Sequence, residues 1–358
     1  MHQLLQILCG NLLNSKLFFL LSGNHPTLPA AEVLAILEAE KLGYDKVSTN
    51  PKILTLNANP KCLQLVKKRA GMCEVAGNLI FQCENSEEQI INKIKQVDFS
   101  EYVDSESTFS VRVSKLFGSS EHINKMRLER ELGRIIESSL PLTKVDLKHP
   151  DKQFIGISYM DHFFFGLKKI SCNTNSLKSR TPKLRPELHP STIDPLLARC
   201  FVNLSRAKAD EILLDPFCGV GGILIEGGLL GCQVVGSDRD YVMINKANTN
   251  LKHYDVNGAS LLIADSRMCP YENVNSIATD PPYGRGSSTM GIRPQKLMKE
   301  FFIEVNRILS RDGHLCIASP INVNIKNIGL DSGLNIIESH VMRVHKSLVR
   351  ELVVFNKK

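Results

Sequence analysis

The sequence predicts an α/β protein: a C-terminal parallel sheet with helices on both faces, preceded by a smaller α+β module. Three observations carry that expectation. From Pro190 onward, short apolar strands alternate strictly with amphipathic helices, the pattern of strands joined by crossover helices. The first of those strands runs into a glycine-bearing turn, Asp215-Pro216-Phe217-Cys218-Gly219-Val220-Gly221-Gly222. The chain, at 358 residues, also exceeds the size at which one hydrophobic core stops growing, so at least two domains are expected.

Along the first half, Lys16–Ser22 reads as a buried strand and Leu28-Pro29-Ala30-Ala31-Glu32 opens a helix to about Lys41; proline just inside a helix start is well tolerated. A helix is predicted over Ser86–Lys95, and a strand over Thr108–Val113 with Phe109, Val111 and Val113 on one face. His122–Ser138 reads as a basic amphipathic helix with Met126, Leu128, Leu132 and Ile135 as its apolar side. Gln153–Met160 and His162–Leu167 form a strand pair turning near Met160–Asp161. The second half gives helices over Asp194–Leu204, Gly221–Leu230, Asp240–His253 and Gln295–Leu309. Its strands are Glu211–Leu214, Gln233–Gly236, Ser260–Ile263, Ser276–Thr279, His314–Ala318, Asn335–Arg343 and Leu348–Phe355.

Composition removes several classes of function. No stretch approaches the ~20 apolar residues that cross a bilayer; Leu17–Leu21 ends at Ser22-Gly23-Asn24 and lacks a signal-cleavage site. The ten cysteines include no C-x-x-C pair, so buried free thiols are expected and no metal centre. A formal charge of +7 suits a polyanionic partner without requiring one. Between Leu167 and Glu187, Lys168, Lys169, Lys178, Arg180, Lys183 and Arg185 share a stretch with little periodicity. This is either a soluble linker or one lying along a phosphate backbone; Lys183 and Arg185 are its candidate RNA contacts.

Ligands of parallel α/β sheets bind beyond the carboxyl ends of the strands. Three acids fall there: Asp215, Asp238 after Gln233–Gly236, and Asp265, followed by Ser266, after Ser260–Ile263. Any one of them has a helix-capping explanation. All three, with the glycine turn, point to an adenosyl-type cofactor, Asp238 accepting ribose hydroxyls and Asp265–Ser266 meeting an adenine amine. A dinucleotide fits less well, because the loop departs from G-x-G-x-x-G and Asp215 would repel a pyrophosphate.

The next strand ends in Thr279-Asp280-Pro281-Pro282-Tyr283-Gly284. An amine conjugated to a ring is a poor nucleophile because its lone pair is delocalised. The Asp280 carboxylate and the Pro281 carbonyl could accept its protons and favour a pyramidal nitrogen. Pro281 and Pro282 stiffen the loop and remove competing donors. Tyr283 offers a stacking surface for a base taken out of its helix. A rigid proline turn at a strand end is the plainer alternative for the motif standing alone.

D-P-P-Y after such a cofactor loop resembles the amino methyltransferases, and the finer resemblance is to the archaeal tRNA guanine-10 N2-methyltransferases, relatives of eukaryotic Trm-eleven. It is carried by Ser22-Gly23-Asn24-His25-Pro26-Thr27-Leu28-Pro29, Phe109-Ser110-Val111-Arg112-Val113, Arg185-Pro186-Glu187-Leu188-His189-Pro190-Ser191, Asp215 through Glu226, and Arg343-Val344-His345-Lys346-Ser347-Leu348. The resemblance implies a Rossmann-like class I methyltransferase domain over 188–358, a basic linker over 168–187, a THUMP RNA-binding domain over 56–167 and a ferredoxin-like region over 1–55. It implies S-adenosylmethionine as methyl donor, with N2-methylguanosine and then N2-dimethylguanosine at tRNA position 10 as products. By matching position, Asp215, Gly219 and Gly221 line the methionine end of the cofactor, Asp238 its ribose and Asp265 its adenine side, while His189, Pro190 and Ser191 close over it. The THUMP domain of such enzymes grips the acceptor end of tRNA, for which Arg112, Lys115, Lys125, Arg127, Arg130 and Arg134 are the basic candidates. A cytoplasmic monomer is expected. Met1–Ser15 has no counterpart. The competing readings are a THUMP-bearing ribosomal-RNA methyltransferase and a silent tRNA-binding protein.

Overall fold

The computed structural model describes residues 15–104, 106–116, 123–140, 142–172, 174–190, 192–283, 293–345 and 348–357. Met1–Asn14, Ser191, Gly284 and the start of the predicted helix at His122 lie outside the described residues. The chain falls into two compact units whose boundaries are not contiguous in sequence: residues 1–21, 43–64 and 74–171, and residues 22–42, 65–73 and 172–358.

The first unit is built on an eight-stranded sheet ordered β2-β3-β1-β4-β8-β7-β5-β6. Its strands are β1 (Ser15–Leu21), β2 (Tyr44–Thr49), β3 (Ile53–Ala58), β4 (Cys73–Glu84), β5 (Thr108–Lys115), β6 (Lys144–Val145), β7 (Lys152–Tyr159) and β8 (His162–Ser171). The predicted β7–β8 hairpin is present, Tyr159 opposite His162. Strand alternation feeds two cores: Phe154, Phe163 and Phe165 pack on one side with Phe109, and Ile155, Ile157 and Phe164 pack on the other with Phe18. The N-terminal half of the chain contributes the helices α1 (Leu28–Ala39), α2 (Cys62–Arg69), α3 (Glu87–Ile94) and α4 (Lys125–Ser139). Of these, α3 and α4 cover the Phe109 core.

The buried stripe of α4 corrects the expected one. Leu128, Leu132 and Ile136 face the core, spaced by four, whereas Met126 is 63% exposed. Spacing by four tracks one helix face, and Met126 is two residues off it. The strands β2, β3 and β4 and helix α2 were not predicted. The run Ile53-Leu54-Thr55-Leu56 is buried on both faces, so it lacks the alternation that marks a half-buried strand.

The second unit carries a seven-stranded sheet ordered β11-β10-β9-β12-β13-β15-β14. Its strands are β9 (Ile212–Asp215), β10 (Gln233–Asp238), β11 (Ser260–Ile263), β12 (Val274–Thr279), β13 (Leu309–Pro320), β14 (Leu334–His345) and β15 (Leu348–Lys357). The helices are α5 (Asn175–Lys178), α6 (Pro195–Leu204), α7 (Gly222–Leu229), α8 (Tyr241–His253), α9 (Pro294–Ile308) and α10 (Ile325–Asp331). Neighbours from β11 to β13 are parallel, and β15 runs antiparallel to both β13 and β14. The sheet is therefore not parallel throughout as expected: β14 and β15 close it as a hairpin. Leu352 and Val354 pack with α6 and α7 residues, and Val353 and Phe355 with Phe301 and Phe302 of α9, so helices cover both faces.

The expected linker is largely structured. Lys168 and Lys169 still belong to β8, and Arg180 and Arg185 are buried. Arg180 and Arg199 of α6 both donate to Glu226 of α7, at 2.7–3.0 Å. Residues 22–42 and 65–73 cluster with this unit rather than with a ferredoxin-like region. Their tie is a buried polar knot: Glu32 of α1 accepts from the Gly71 and Met72 amides and from Asn203 Nδ2, at 2.8–3.1 Å.

Candidate methyltransferase active site

The carboxyl ends of β9, β10 and β12 bring Asp215, Asp238 and Asp280 to one edge of the sheet. Left-handed backbone at Gly219 (φ 50°) and Gly221 (φ 84°) turns the chain from β9 into α7, a conformation that strains residues bearing a Cβ. A Cβ at Gly219 would meet nothing within 4 Å, so the loop leaves open space above it. Asp238 fixes that loop: its Oδ2 accepts from the Gly219 amide at 3.0 Å and its Oδ1 from the Asp240 amide at 2.9 Å.

Asp215 links the glycine loop to the D-P-P-Y strand. Its Oδ1 accepts from Thr279 Oγ1 at 2.6 Å and from the Phe217 amide at 3.1 Å. Burial pushes its carboxyl up to about 7, against those two hydrogen bonds and with help from the charges of Asp280 and Asp238. Burial likewise raises Asp238. An edge lined by three partly desolvated acids suits a cationic ligand, whose charge would restore the ionised forms. The sulfonium and ammonium of S-adenosylmethionine meet that requirement.

Asp280 sits just beyond β12, and both of its described donors reach the same oxygen. Tyr283 Oη donates to Oδ1 at 2.7 Å, and Arg350 Nη2 of β15 donates to it as well. The Arg350 guanidinium lies over the Tyr283 ring, 4.8 Å from its centroid. One face of Tyr283 is thus covered by the guanidinium. Burial raises the Asp280 carboxyl, opposed by Arg350 and the Tyr283 hydrogen bond. Pro281 is buried and Pro282 half-buried.

The remaining predicted residues divide. His189 and Pro190 precede α6; the Thr192 amide donates to His189 O, and Thr192 Oγ1 shares that turn. Asn250 of α8, which sequence reasoning missed, ties this loop to the cofactor loop. Its Nδ2 donates to Glu187 O at 3.1 Å and Val220 O at 2.9 Å, and its Oδ1 accepts from the Glu187 amide at 3.0 Å. Asp265 follows β11 as expected, yet its carboxylate is committed to Arg267, which donates from Nε at 3.0 Å and Nη2 at 2.8 Å. Those bonds hold it below the usual carboxylate range. Ser266 is buried beside it.

Among the RNA candidates, Arg127, Arg130 and Arg134 are exposed on α4 with Lys125, which pairs with Glu129 at 3.9 Å. Lys115 Nζ donates to Ile123 O, and Arg112 Nη2 to Leu147 O, both at 3.0 Å. Lys183 is exposed. Arg185 is not available to a phosphate: it is 4% exposed and donates to Arg180 O and Ile193 O. Its side chain fills the space over Gly222. Among the described residues no cluster of His, Cys, Asp or Glu could hold a metal.

Residues 182–351 match the RMKL-like methyltransferase domain, and residues 84–163 match the THUMP domain. Along the whole chain, the tRNA (guanine(10)-N2)-dimethyltransferase of Methanothermobacter thermautotrophicus is 33% identical, over 96% of this chain and 99% of its own length. The enzyme of the same name from Methanocaldococcus jannaschii is 28% identical over 95% and 99%. The crystal structure of TrmN from Thermus thermophilus superposes over 96% of this chain and 100% of its own, with a TM-score of 0.54 at 19% identity. Fold and site together define a THUMP-bearing class I methyltransferase. Within that class, the chain belongs to the tRNA (guanine(10)-N2)-dimethyltransferase family.

Proposed function

We propose that this enzyme methylates the exocyclic N2 of guanine 10 in tRNA, giving N2-methylguanosine and then N2-dimethylguanosine. Its methyl donor is S-adenosylmethionine, which supplies an electrophilic methyl group. The observation that carries this reading is the Asp280 carboxylate just beyond β12, held through Oδ1 by its partners among the described residues, beside the acidic edge formed with Asp215 and Asp238. Oδ2 and the Pro281 carbonyl accept hydrogen bonds from the amine, favouring a pyramidal nitrogen whose lone pair is withdrawn from conjugation with the ring and free to attack the methyl; the proton lost on methylation passes to Oδ2. Catalysis is then positioning and electrostatics. Asp215, Gly219 and Gly221 hold the methionine end, Asp238 the ribose, Asp265 and Ser266 the adenine side, with His189 and Pro190 closing the site; Ser191, which the resemblance adds to this loop, lies outside the described residues. Tyr283 stacks on the flipped base with its uncovered face.

The exposed Arg127, Arg130 and Arg134 face, with Lys125, Lys115 and Arg112, meets the tRNA backbone near the acceptor end, and Lys183 is a separate phosphate contact. With RNA-binding and catalytic parts in one chain, the enzyme works as a cytoplasmic monomer; no described helix is long and apolar enough to cross a membrane.

Labelled methyl transfer to unmodified tRNA transcripts tests the reading. Label is expected in a guanine-10 transcript, none in an adenine-10 transcript, and none with Asp280→Ala. Label in both transcripts would move the target elsewhere in tRNA, and label in neither would favour ribosomal RNA or a silent binding protein.

A further inference from the structure

The last strand of the sheet places a second functional group in the catalytic loop. β15 runs against its neighbours, so its first residues lie at the carboxyl edge, where the parallel strands end; Arg350 stands opposite Pro320, the final residue of β13. From there its guanidinium reaches two strands across to Asp280. The side chain is 9% exposed, and its buried Nε has no partner among the described residues. A buried arginine needs a compensating charge, and Asp280 is the carboxylate it meets. The same guanidinium covers the Tyr283 ring, whose hydroxyl returns to the same Oδ1. Three side chains therefore form a closed triangle, and both donors converge on one carboxylate oxygen.

We propose that Arg350 is a positioning residue for methyl transfer: by clamping Asp280 Oδ1 and the Tyr283 ring, it aims Oδ2 at the substrate amine and sets the ring for stacking. This inference rests on the reading of Asp280 as acceptor for the guanine N2. Arg350 acts through Asp280 and Tyr283, and touches neither the amine nor the donor methyl. Its charge also keeps the carboxylate ionised against burial. Among the described residues, the charged and titratable groups that face Asp280 are Arg350 from β15, Tyr283 from its own loop, Asp215 from β9 and the Cys316 thiol of β13. Of these only Arg350 favours the anion by its charge.

The experiment compares Arg350→Met, Arg350→Lys and wild type, each with melting curves and calorimetric S-adenosylmethionine binding. Arg350→Met is expected to lower kcat on the guanine-10 transcript by roughly tenfold or more with little change in KM for S-adenosylmethionine. Its acidic limb should move to higher pH by about one to two pH units, the effect of removing an adjacent opposite charge. Arg350→Lys, which keeps charge but loses the planar fork, should restore the pH limb more fully than kcat. An Arg350→Met enzyme with kcat within twofold of wild type, or with a loss confined to KM and an unmoved limb, overturns the proposal.

Carboxyl carbon-13 titration by NMR reads the same clamp without substrate, the Asp280 signal being the one absent from Asp280→Asn. Its midpoint should rise in Arg350→Met, and an unchanged midpoint overturns the proposal even if Arg350→Met folds poorly enough to blur the kinetics. Wild-type enzyme that fails to label guanine 10 sinks the parent reading, whereas labelled wild type with an indifferent Arg350→Met sinks only this one.

Discussion

At the scale of single residues, two of the strand-end acids, Asp215 and Asp238, have carboxyls that burial raises. Asp215 shows the consequence most clearly. Its carboxyl is raised from the ordinary value of 3.8 to about 7, chiefly by burial. A raised carboxyl contributes stability that is present in full below the unfolded-state value and is lost as pH climbs through the folded one. Asp215→Asn keeps an Oδ1 acceptor for both Thr279 and Phe217 while removing the buried charge. Its melting advantage over wild type should therefore grow between about pH 4 and pH 7 and level off above, reaching at most ~4 kcal/mol. If Asp215 lines the methionine end of the donor as proposed, the same change removes a charge facing its ammonium, and calorimetry should show S-adenosylmethionine binding weakened roughly tenfold or more, the loss of one charge-assisted hydrogen bond. A variant that melts like wild type at every pH would dissolve the desolvation argument. Asp215, Asp238 and Asp280 were legible in the sequence because each closes an apolar run whose end must face a ligand crevice. Arg350 was not, since nothing near it in sequence announces a side chain that reaches across β13 to Asp280. Asp265 was legible in place but not in partner, because Arg267, two residues on, turns back onto it.

At the scale of elements, α7 is held from behind by charge. Glu226 is fully buried and accepts from Arg180 and Arg199 through both oxygens. Replacing it by leucine would leave two buried guanidinium groups without a counter-ion, a change that costs about 3–5 kcal/mol. Urea unfolding should show that loss as a lower midpoint, and a shift below about 1 kcal/mol would mean that the two arginines find other partners. Helix α4 makes the opposite use of charge, turning Leu128, Leu132 and Ile136 to the core and leaving its arginines in water. Changing Arg127, Arg130 and Arg134 together to alanine should weaken tRNA binding and flatten its salt dependence by about one unit of log-log slope for each phosphate left unneutralised. S-adenosylmethionine affinity should not move. Long periodic helices such as α8 and α9 were legible because one face alone is apolar. The β3 run, buried on both sides, and the seven-residue α10 carry too little periodicity to be separated from loops.

At the scale of the whole chain, the two units are threaded through one another in sequence, a property set by long-range packing that composition does not record. The catalytic unit draws residues 22–42 and 65–73 from the N-terminal part. Leu28, Ala31 and Ala35 of α1 join the same core as Ala198, Phe201 and Val202 of α6. The polar knot around Glu32 is sealed by Asn203, and Arg69 donates to Asn203 Oδ1 at 3.3 Å and to Glu40 at 3.0 Å. Arg206 is shared between Glu38 of α1, at 2.6 Å, and Glu338 of β14, at 2.8 Å. The segment Ser22–Pro29 adds His25 Nε2 to the Val341 carbonyl at 2.9 Å and Thr27 Oγ1 to His340 Nδ1 at 2.8 Å. A fragment beginning at Cys172 contains every predicted cofactor and catalytic residue, yet it exposes the α6 face and leaves Asn203 and Arg206 short of partners. Buried polar groups stripped of their hydrogen bonds are strongly destabilising, and an uncovered apolar face promotes association. The fragment should therefore aggregate or melt well below the catalytic transition of the full chain, with S-adenosylmethionine affinity lost in proportion. Within the full chain, Glu32→Ala should lower stability with methyl-transfer kinetics at low temperature unchanged, since Gly71, Met72 and Asn203, the partners it would strand, hold none of the site's acids. A fragment from Cys172 that folds monomerically and binds the donor as tightly as the full chain would show that the N-terminal segments are accessories, and would return the domain boundary to the basic stretch where the sequence alone puts it.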